Sequence, residues 1–232
     1  MVNMRPFTAF EQKNLKFLVN HNVKFTQVEI TPTGLGKGIL DSTAPMRAYF
    51  LENGIHNYEE QLQGQEHKQI KQACILTDAT QFFTKASFYR PNTKKGDPRM
   101  WIYGLGAHTD GNDIHVLFWH EQTLYSINIS HIDIEKCYDS VLITPMQEIL
   151  KEINKEGNSV SEELLGRFRA VKDQWFESEV TADTGIGRTI ESFLGICMNS
   201  DKTPDYKGIE LKSHRDKRSS KKNVLFTQTP DW

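Results

Sequence analysis

Two carboxylates and an ammonium group stand close together late in the chain: Asp205, Glu210 and Lys212, in the spacing Asp-x4-Glu-x-Lys. Ile209 and Leu211 alternate with Glu210 and Lys212, the period of a strand with one buried face. Glu210 and Lys212 therefore share the polar side. Lys207-Gly208 reads as a turn or bulge that brings Asp205, on the neighbouring backbone, toward Glu210. Paired carboxylates hold a hard divalent cation through oxygen and leave the lysine beside it. Such a set suits phosphodiester hydrolysis, in which a cation neutralises the phosphate and lowers the pKa of water while the lysine orients or deprotonates the nucleophile. An ordinary half-exposed strand shows the same alternation without any chemistry, so the motif alone is a weak signal.

The elements around it sharpen the assignment. Ile186, Ile190, Phe193, Leu194 and Cys197 form an apolar stripe at helical spacing, with Glu191 at its side. The helix Thr184-Gly-Ile-Gly-Arg-Thr-Ile-Glu-Ser-Phe-Leu, a short spacer and Pro204-Asp-Tyr-Lys-Gly-Ile-Glu-Leu-Lys-Ser-His resemble the catalytic segment of the MvaI/BcnI restriction endonucleases. These are relatives of the mismatch-repair nuclease MutH within the PD-(D/E)xK superfamily. The resemblance covers roughly residues 163–230. It implies that Asp205 and Glu210 are Mg²⁺ ligands, that Lys212 is the catalytic lysine, and that Glu191 is a supporting acid on the helix, with His214 a neighbour of the site. It also implies double-stranded DNA as the substrate.

Immediately after Lys212 come His214, Arg215, Lys217, Arg218, Lys221 and Lys222, with Asp216 the single acid among them. A cationic run placed there is expected to contact the DNA backbone; a solvated basic tail is the plainer alternative. Only 20 residues follow Lys212, whereas the resembled nucleases continue well past that strand. The sequence therefore leads us to expect an incomplete PD-(D/E)xK segment whose remaining core belongs to a missing C-terminal part or another chain, with weak cleavage unaided.

Bulk properties set the wider bounds. A chain of 232 residues with 38% hydrophobic and 25% charged content accommodates one large or two small globular domains. The formal net charge of −2 means that any nucleic-acid surface is local. Cys74, Cys137 and Cys197 lie far apart without CxxC spacing, which fits buried thiols in a reducing cytoplasm and argues against a zinc site. No apolar run approaches the ~18 residues of a membrane span, and the first residues lack a signal-peptide pattern. A soluble cytoplasmic protein is expected.

The N-terminal part, residues 1–143, is expected to form a β-rich DNA-recognition domain. Phe7, Phe10, Phe17 and Leu18 suggest one helical face, and Lys24 to Ile30 alternates as a strand. Thr33-Gly-Leu-Gly-Lys-Gly lacks the phosphate-loop pattern, leaving a mobile or DNA-facing loop. Met46, Phe50 and Leu51 suggest another helix, and Gln61 to Gln69 an exposed loop. Phe82–Tyr89, Met100–Leu105, Ile114–Trp119 and Leu124–Ile129 are four aromatic and β-branched runs separated by turn clusters. Arg90, Lys94, Lys95 and Arg99, interleaved with Tyr89, Trp101 and Tyr103, suit a phosphate-tracking hairpin; the alternative is that the rings face the core. His108, His115, His120 and His131 lack a repeated ligand spacing and read as sheet or loop residues. A β-rich N-terminal domain joined to an MvaI-like nuclease resembles the layout in which a B3-type pseudobarrel, such as the N-terminal domain of EcoRII, reads DNA.

From Thr144 the periodicity becomes helical, with Pro145 at the first position and Met146, Ile149, Leu150 and Ile153 apolar. The sequence predicts that this helix stops near Gly157 and a second starts at Ser159, making residues 144–160 a linker before a nuclease segment over 161–232. The expected class is α+β: a pseudobarrel-like domain followed by a partial PD-(D/E)xK α/β domain.

Overall fold

The computed structural model describes residues 4–171, 185–195, 206–209 and 211. By packing, the chain divides into two units after Gly157. The first is a mixed α+β unit built on seven strands: β1 (Phe25–Glu29), β2 (Leu40–Asp41), β3 (Gln69–Leu76), β4 (Gln81–Tyr89), β5 (Arg99–Ile102), β6 (Ile114–His120) and β7 (Thr123–Asn128). They form a single sheet in the order β1-β6-β7-β3-β4-β5-β2. Every neighbouring pair is antiparallel except β3 and β7, which run parallel with Cys74 opposite Tyr125. The edge strands β1 and β2 both line one cleft of about 390 Å³, so the sheet is nearly closed.

Two apolar clusters lie on the two faces of this sheet. One gathers Val28, Ile30, Leu40, Phe50, Phe88, Met100, Ile102, Leu117 and Leu124, with Met46 and Phe50 supplied by α3 (Ala44–Glu52). The other gathers Leu18, Cys74, Leu76, Val116, Phe118, Ile127, Ile134, Met146 and Leu150. Its covering residues come from α1 (Ala9–Asn20), α4 (Ile134–Tyr138) and α5 (Pro145–Val171). On β6, Leu117 faces the first cluster while Val116 and Phe118 face the second, which is why that strand reads as an unbroken apolar run.

His115 sits within that run, fully buried, with Nδ1 on the Ser126 hydroxyl at 2.9 Å and Nε2 on the Thr109 hydroxyl at 3.0 Å. Burial lowers its pKa to about 4, so the imidazole is neutral at pH 7. Beside the start of β6, where the Ile114 N–H donates to the Ser130 hydroxyl, Thr8 and Glu11 close a capping box on α1. The Glu11 carboxylate, 1% exposed, also accepts from Arg5 Nη1 at 2.9 Å and from the Ser130 hydroxyl at 2.5 Å.

Two local expectations are corrected. Residues 32–37 form a short helix, α2 (Pro32–Lys37), rather than a loop: Thr31 accepts from the Gly34 N–H, Pro32 fixes the first turn, and Gly38 ends it at φ +62°. The Gln61–Gln69 stretch is largely exposed and irregular as expected, apart from a 3₁₀ turn at Gln65–His67, and its first residue anchors it. Gln61 is buried and donates to the carbonyls of His67 and Phe88 while accepting from or bonding to His56 Nε2 at 3.0 Å. Finally, α5 passes through Gly157 without a break and runs for 27 residues. Its continuous apolar positions outweigh the roughly 1 kcal/mol cost of an internal glycine.

Within the second unit, Leu164 on α5, Leu194 after α6 (Gly185–Phe193), and Tyr206 form a small buried cluster, flanked by Val160, Phe168, Ile190, Ile209 and Leu211. No helix among the described residues is long and apolar enough to cross a membrane.

Candidate active site and nucleic-acid surface

The turn predicted between the two acids is present. Tyr206 and Ile209 pair antiparallel, with N–H to carbonyl distances of 2.9 and 2.7 Å, around Lys207 at φ +43° and Gly208 at φ +90°. Positive φ at both central residues is the signature of a type I′ two-residue hairpin, whose twist matches that of paired strands. The β6–β7 hairpin uses the same device at Glu121 (φ +43°) and Gln122 (φ +62°), closing on the His120–Thr123 pair. Lys207 is compatible with the left-handed region, and Gly208 supplies the more demanding position at no steric cost.

The flanking chemistry is only partly within the described residues. Glu191 lies on α6, half-buried, in the turn before the buried Leu194. Asp205, Glu210, Lys212, His214, Arg215, Lys217 and Arg218 lie outside the described residues. Tyr206 is 7% exposed, and its ring carries Arg167 at 5.1 Å and Lys207 at 5.6 Å. Glu163 accepts from Lys207 Nζ at 2.6 Å and from Arg167 Nη2 at 3.2 Å. Lys207 holds the Glu163 carboxyl down at about 2.

In the first unit the predicted hairpin is real, and its residues divide in role. Met100 and Ile102 face the core, which puts Arg99, Trp101 and, beyond the strand end, Tyr103 on the opposite face. Tyr89 pairs with Arg99, and Ser87 with Trp101. That face continues with Lys85, opposite Gln72, and with Phe83, 70% exposed. Lys68 lies 5.4 Å over the Tyr89 ring. Tyr89 thus shares a face with Lys85 and carries Lys68, whereas the Trp101 indole packs with Leu35 against the first apolar cluster and meets Gly38.

Arg90 departs from the phosphate-contact expectation. Its Nε donates to the Gly96 carbonyl at 2.8 Å and its Nη1 to the carbonyls of Tyr58 and Gln61, so it braces the hairpin from within. The Lys95 side chain is exposed, and its backbone occupies φ +58° within the turn Lys94–Gly96. Arg99 lines the cleft between the sheet edges, its Nε 3.5 Å from the Asp41 carboxylate. Glu29, Lys37 and Asp41 line the same cleft. Sequence reading singles out none of these three as site residues, although Lys37 lies in the stretch expected to be a mobile or DNA-facing loop.

Two clusters in this unit bring histidine and carboxylate ligand atoms within 4.8 Å of one another: Asp110, Asp113 and His131, and His120, Glu121 and Glu152. The Asp113 oxygens are already committed. They accept from the Thr109 hydroxyl, the Asp110 N–H, Asn128 Nδ2 and His131 Nε2, at 2.8 to 3.2 Å. Those bonds hold its pKa down despite burial and make it the knot of the Thr109–Asp113 loop.

Comparison with known proteins adds one match. Residues 165–232 match the MvaI/BcnI restriction endonuclease family, which is the resemblance carried by the sequence motif and covers under a third of the chain. No curated protein and no solved structure matches it.

Proposed function

We propose that this chain is a type II restriction endonuclease that hydrolyses phosphodiester bonds of double-stranded DNA at a specific short sequence, with Mg²⁺ as its cofactor. The type I′ turn at Lys207-Gly208, inside the segment matching the MvaI/BcnI family, is the observation that carries this reading. In a two-residue hairpin, the residues just outside the closing pair come next in the antiparallel register and point to one face. Asp205 and Glu210 flank that closing pair in sequence, one residue outside it on each side, which is what the reading asks of a carboxylate pair.

Two carboxylates offering hard oxygen donors suit Mg²⁺ far better than a soft or borderline ion. Asp205 and Glu210 would hold it, and when bound it would supply charge neutralisation at the phosphate and a lower pKa for water. Lys212, two residues on in the sequence, orients the attacking water and holds or accepts its proton. Glu191 on α6 orients the site from the helix side. His214, Arg215, Lys217 and Arg218 neutralise backbone phosphates next to the scissile bond.

The first unit serves as the DNA-recognition domain. Its nearly closed sheet supports a pseudobarrel of the B3 type, with Lys94, Lys95 and Arg99 at the phosphate backbone. Arg90 holds the hairpin that presents them.

Plasmid cleavage by the wild-type chain and the Asp205→Ala and Lys212→Ala variants, with Mg²⁺ or with chelator, tests the proposal. Cutting that requires Mg²⁺ and both residues is expected. Cutting that survives both substitutions removes these residues from the mechanism, and DNA retention without cutting under any divalent metal reduces the chain to a binding module. Nicking confined to one strand of hemimethylated DNA would instead assign a MutH-like activity.

A further inference from the structure

We propose that Glu163 and Arg167 on α5 are positioning residues of the nuclease site: together they lock the Tyr206–Ile209 turn against the end of α6 and so fix the spacing of the acids on either side of that turn. This rests on the nuclease reading above.

Three chain segments of the second unit converge on these two side chains. Glu163 and Arg167 stand one helical turn apart on α5 and are paired to each other at 3.2 Å. Glu163 reaches the turn through Lys207 Nζ at 2.6 Å. Arg167 reaches both the turn and α6. Its guanidinium lies 5.1 Å over the buried Tyr206 ring, while Nη1 donates to the Leu194 carbonyl at the C-terminal end of α6. Gly195, at φ +68°, follows that carbonyl, and a Cβ there would come within 3.4 Å of Arg167 Nη1.

Stability is not the reason to build this. Glu163 and Lys207 are exposed, and such pairs contribute little to folding. The apolar contacts of Leu164, Leu194 and Tyr206 already hold the segments together. What apolar packing leaves loose is the rotation and register of a two-residue turn, and directional groups fix those. Lys207 sits at φ +43° with its ammonium fastened to α5, and Tyr206 is gripped by a planar cation that is also tied to α6. Asp205 and Glu210 are each one peptide from the gripped pair, and Glu191 rides on the tied helix. Arg167 reaches both carriers of the predicted acids with one guanidinium, stacked on Tyr206 and donating to the Leu194 carbonyl. Lysine cannot replace it, because only a planar fork can stack and donate sideways at once.

The test uses the full chain with Mn²⁺ as a spectroscopic stand-in for Mg²⁺. Free Mn²⁺ is followed by electron paramagnetic resonance for wild type, Glu163→Gln, Arg167→Met and Arg167→Lys, alongside melting temperature and the Mg²⁺ dependence of cleavage. Supporting groups around metal ligands typically change affinity by ~10- to 100-fold. Arg167→Met is expected to weaken Mn²⁺ binding within that range and to raise the Mg²⁺ concentration for half-maximal cleavage in parallel. Turnover at saturating Mg²⁺ and melting temperature should stay near wild type. Arg167→Lys should recover only part of the affinity, and Glu163→Gln should show a smaller loss. Unchanged Mn²⁺ affinity in both Arg167→Met and Glu163→Gln overturns the clamp while leaving the nuclease reading intact. A wild-type chain that binds no Mn²⁺ and cuts no DNA overturns both.

Discussion

Replacing Glu11 by glutamine isolates the network that seats the N-terminal segment beside the cleft. Glu11 accepts from both terminal nitrogens of Arg5, from the Thr8 N–H at 2.8 Å and from the Ser130 hydroxyl. The Arg5 bond, ahead of the opposing effect of burial, takes its pKa from an ordinary 4.5 to about 2. At about 1.4 kcal/mol per pKa unit, that fall corresponds to roughly 3 kcal/mol of stability near pH 7. Because the folded pKa is depressed, the contribution is complete above about pH 4.5 and is lost as pH falls toward about 2. Glutamine keeps the shape but turns an NH₂ toward donors, so a destabilisation of about 2–3 kcal/mol is expected in urea unfolding at pH 7. Repeating the titration at descending pH should show the wild-type advantage shrinking across that window. A gap below about 1 kcal/mol at pH 7, or one that does not narrow by pH 2.5, refutes the linkage. DNA binding should weaken as well, because Arg5 donates its backbone N–H to Glu29 at 2.8 Å and Glu29 lines the cleft.

Other expectations are narrower. Arg99→Ala and Lys95→Ala should each lower the slope of log affinity against log salt by about 0.9, with no such change in Arg90→Ala once its fold is verified. Gly208→Val puts a β-branched residue at φ +90°; cleavage should collapse, while the far-ultraviolet circular dichroism of the rest of the chain is retained. The His115 imidazole should show no protonation by NMR until pH falls toward about 4. Its burial costs stability as pH drops from about 6.5, where the unfolded chain takes up the proton, and a titration midpoint near 6.5 in the folded chain would contradict the buried placement.

Much of the architecture was written in local pattern. Strands β4 to β7 follow from their aromatic and β-branched runs, and the Lys207-Gly208 turn was legible from a glycine following a lysine; α1 and α3 form where apolar spacing puts helices, but Phe10 and Leu51 are exposed while the polar Glu11 and Asn14 are buried. Helix α2 was misread although Thr31, Pro32 and Gly38 are the cap, first-turn and terminator residues that the rules name, because three glycines drew attention to backbone freedom instead. The unbroken α5 was misread for the opposite reason: Gly157 looked like a stop, but burial of residues on both sides of it decided the outcome. Long-range partners were invisible. Nothing near Arg90 in sequence announces that its donors go to Tyr58 and Gln61, and nothing near Glu163 announces Lys207. Such contacts are products of tertiary placement, which periodicity does not encode.

The strand order carries a consequence for synthesis. Among the described residues β1 pairs with β6 alone, and β3 must await β7 on one side, so β1 stays unpaired until nearly the whole unit has been made. Closure is therefore a late, all-at-once event with high contact order, and slow refolding from denaturant is its expected signature. A nascent chain with an open β1 edge is the species a holdase would meet until residues 114–128 have been made.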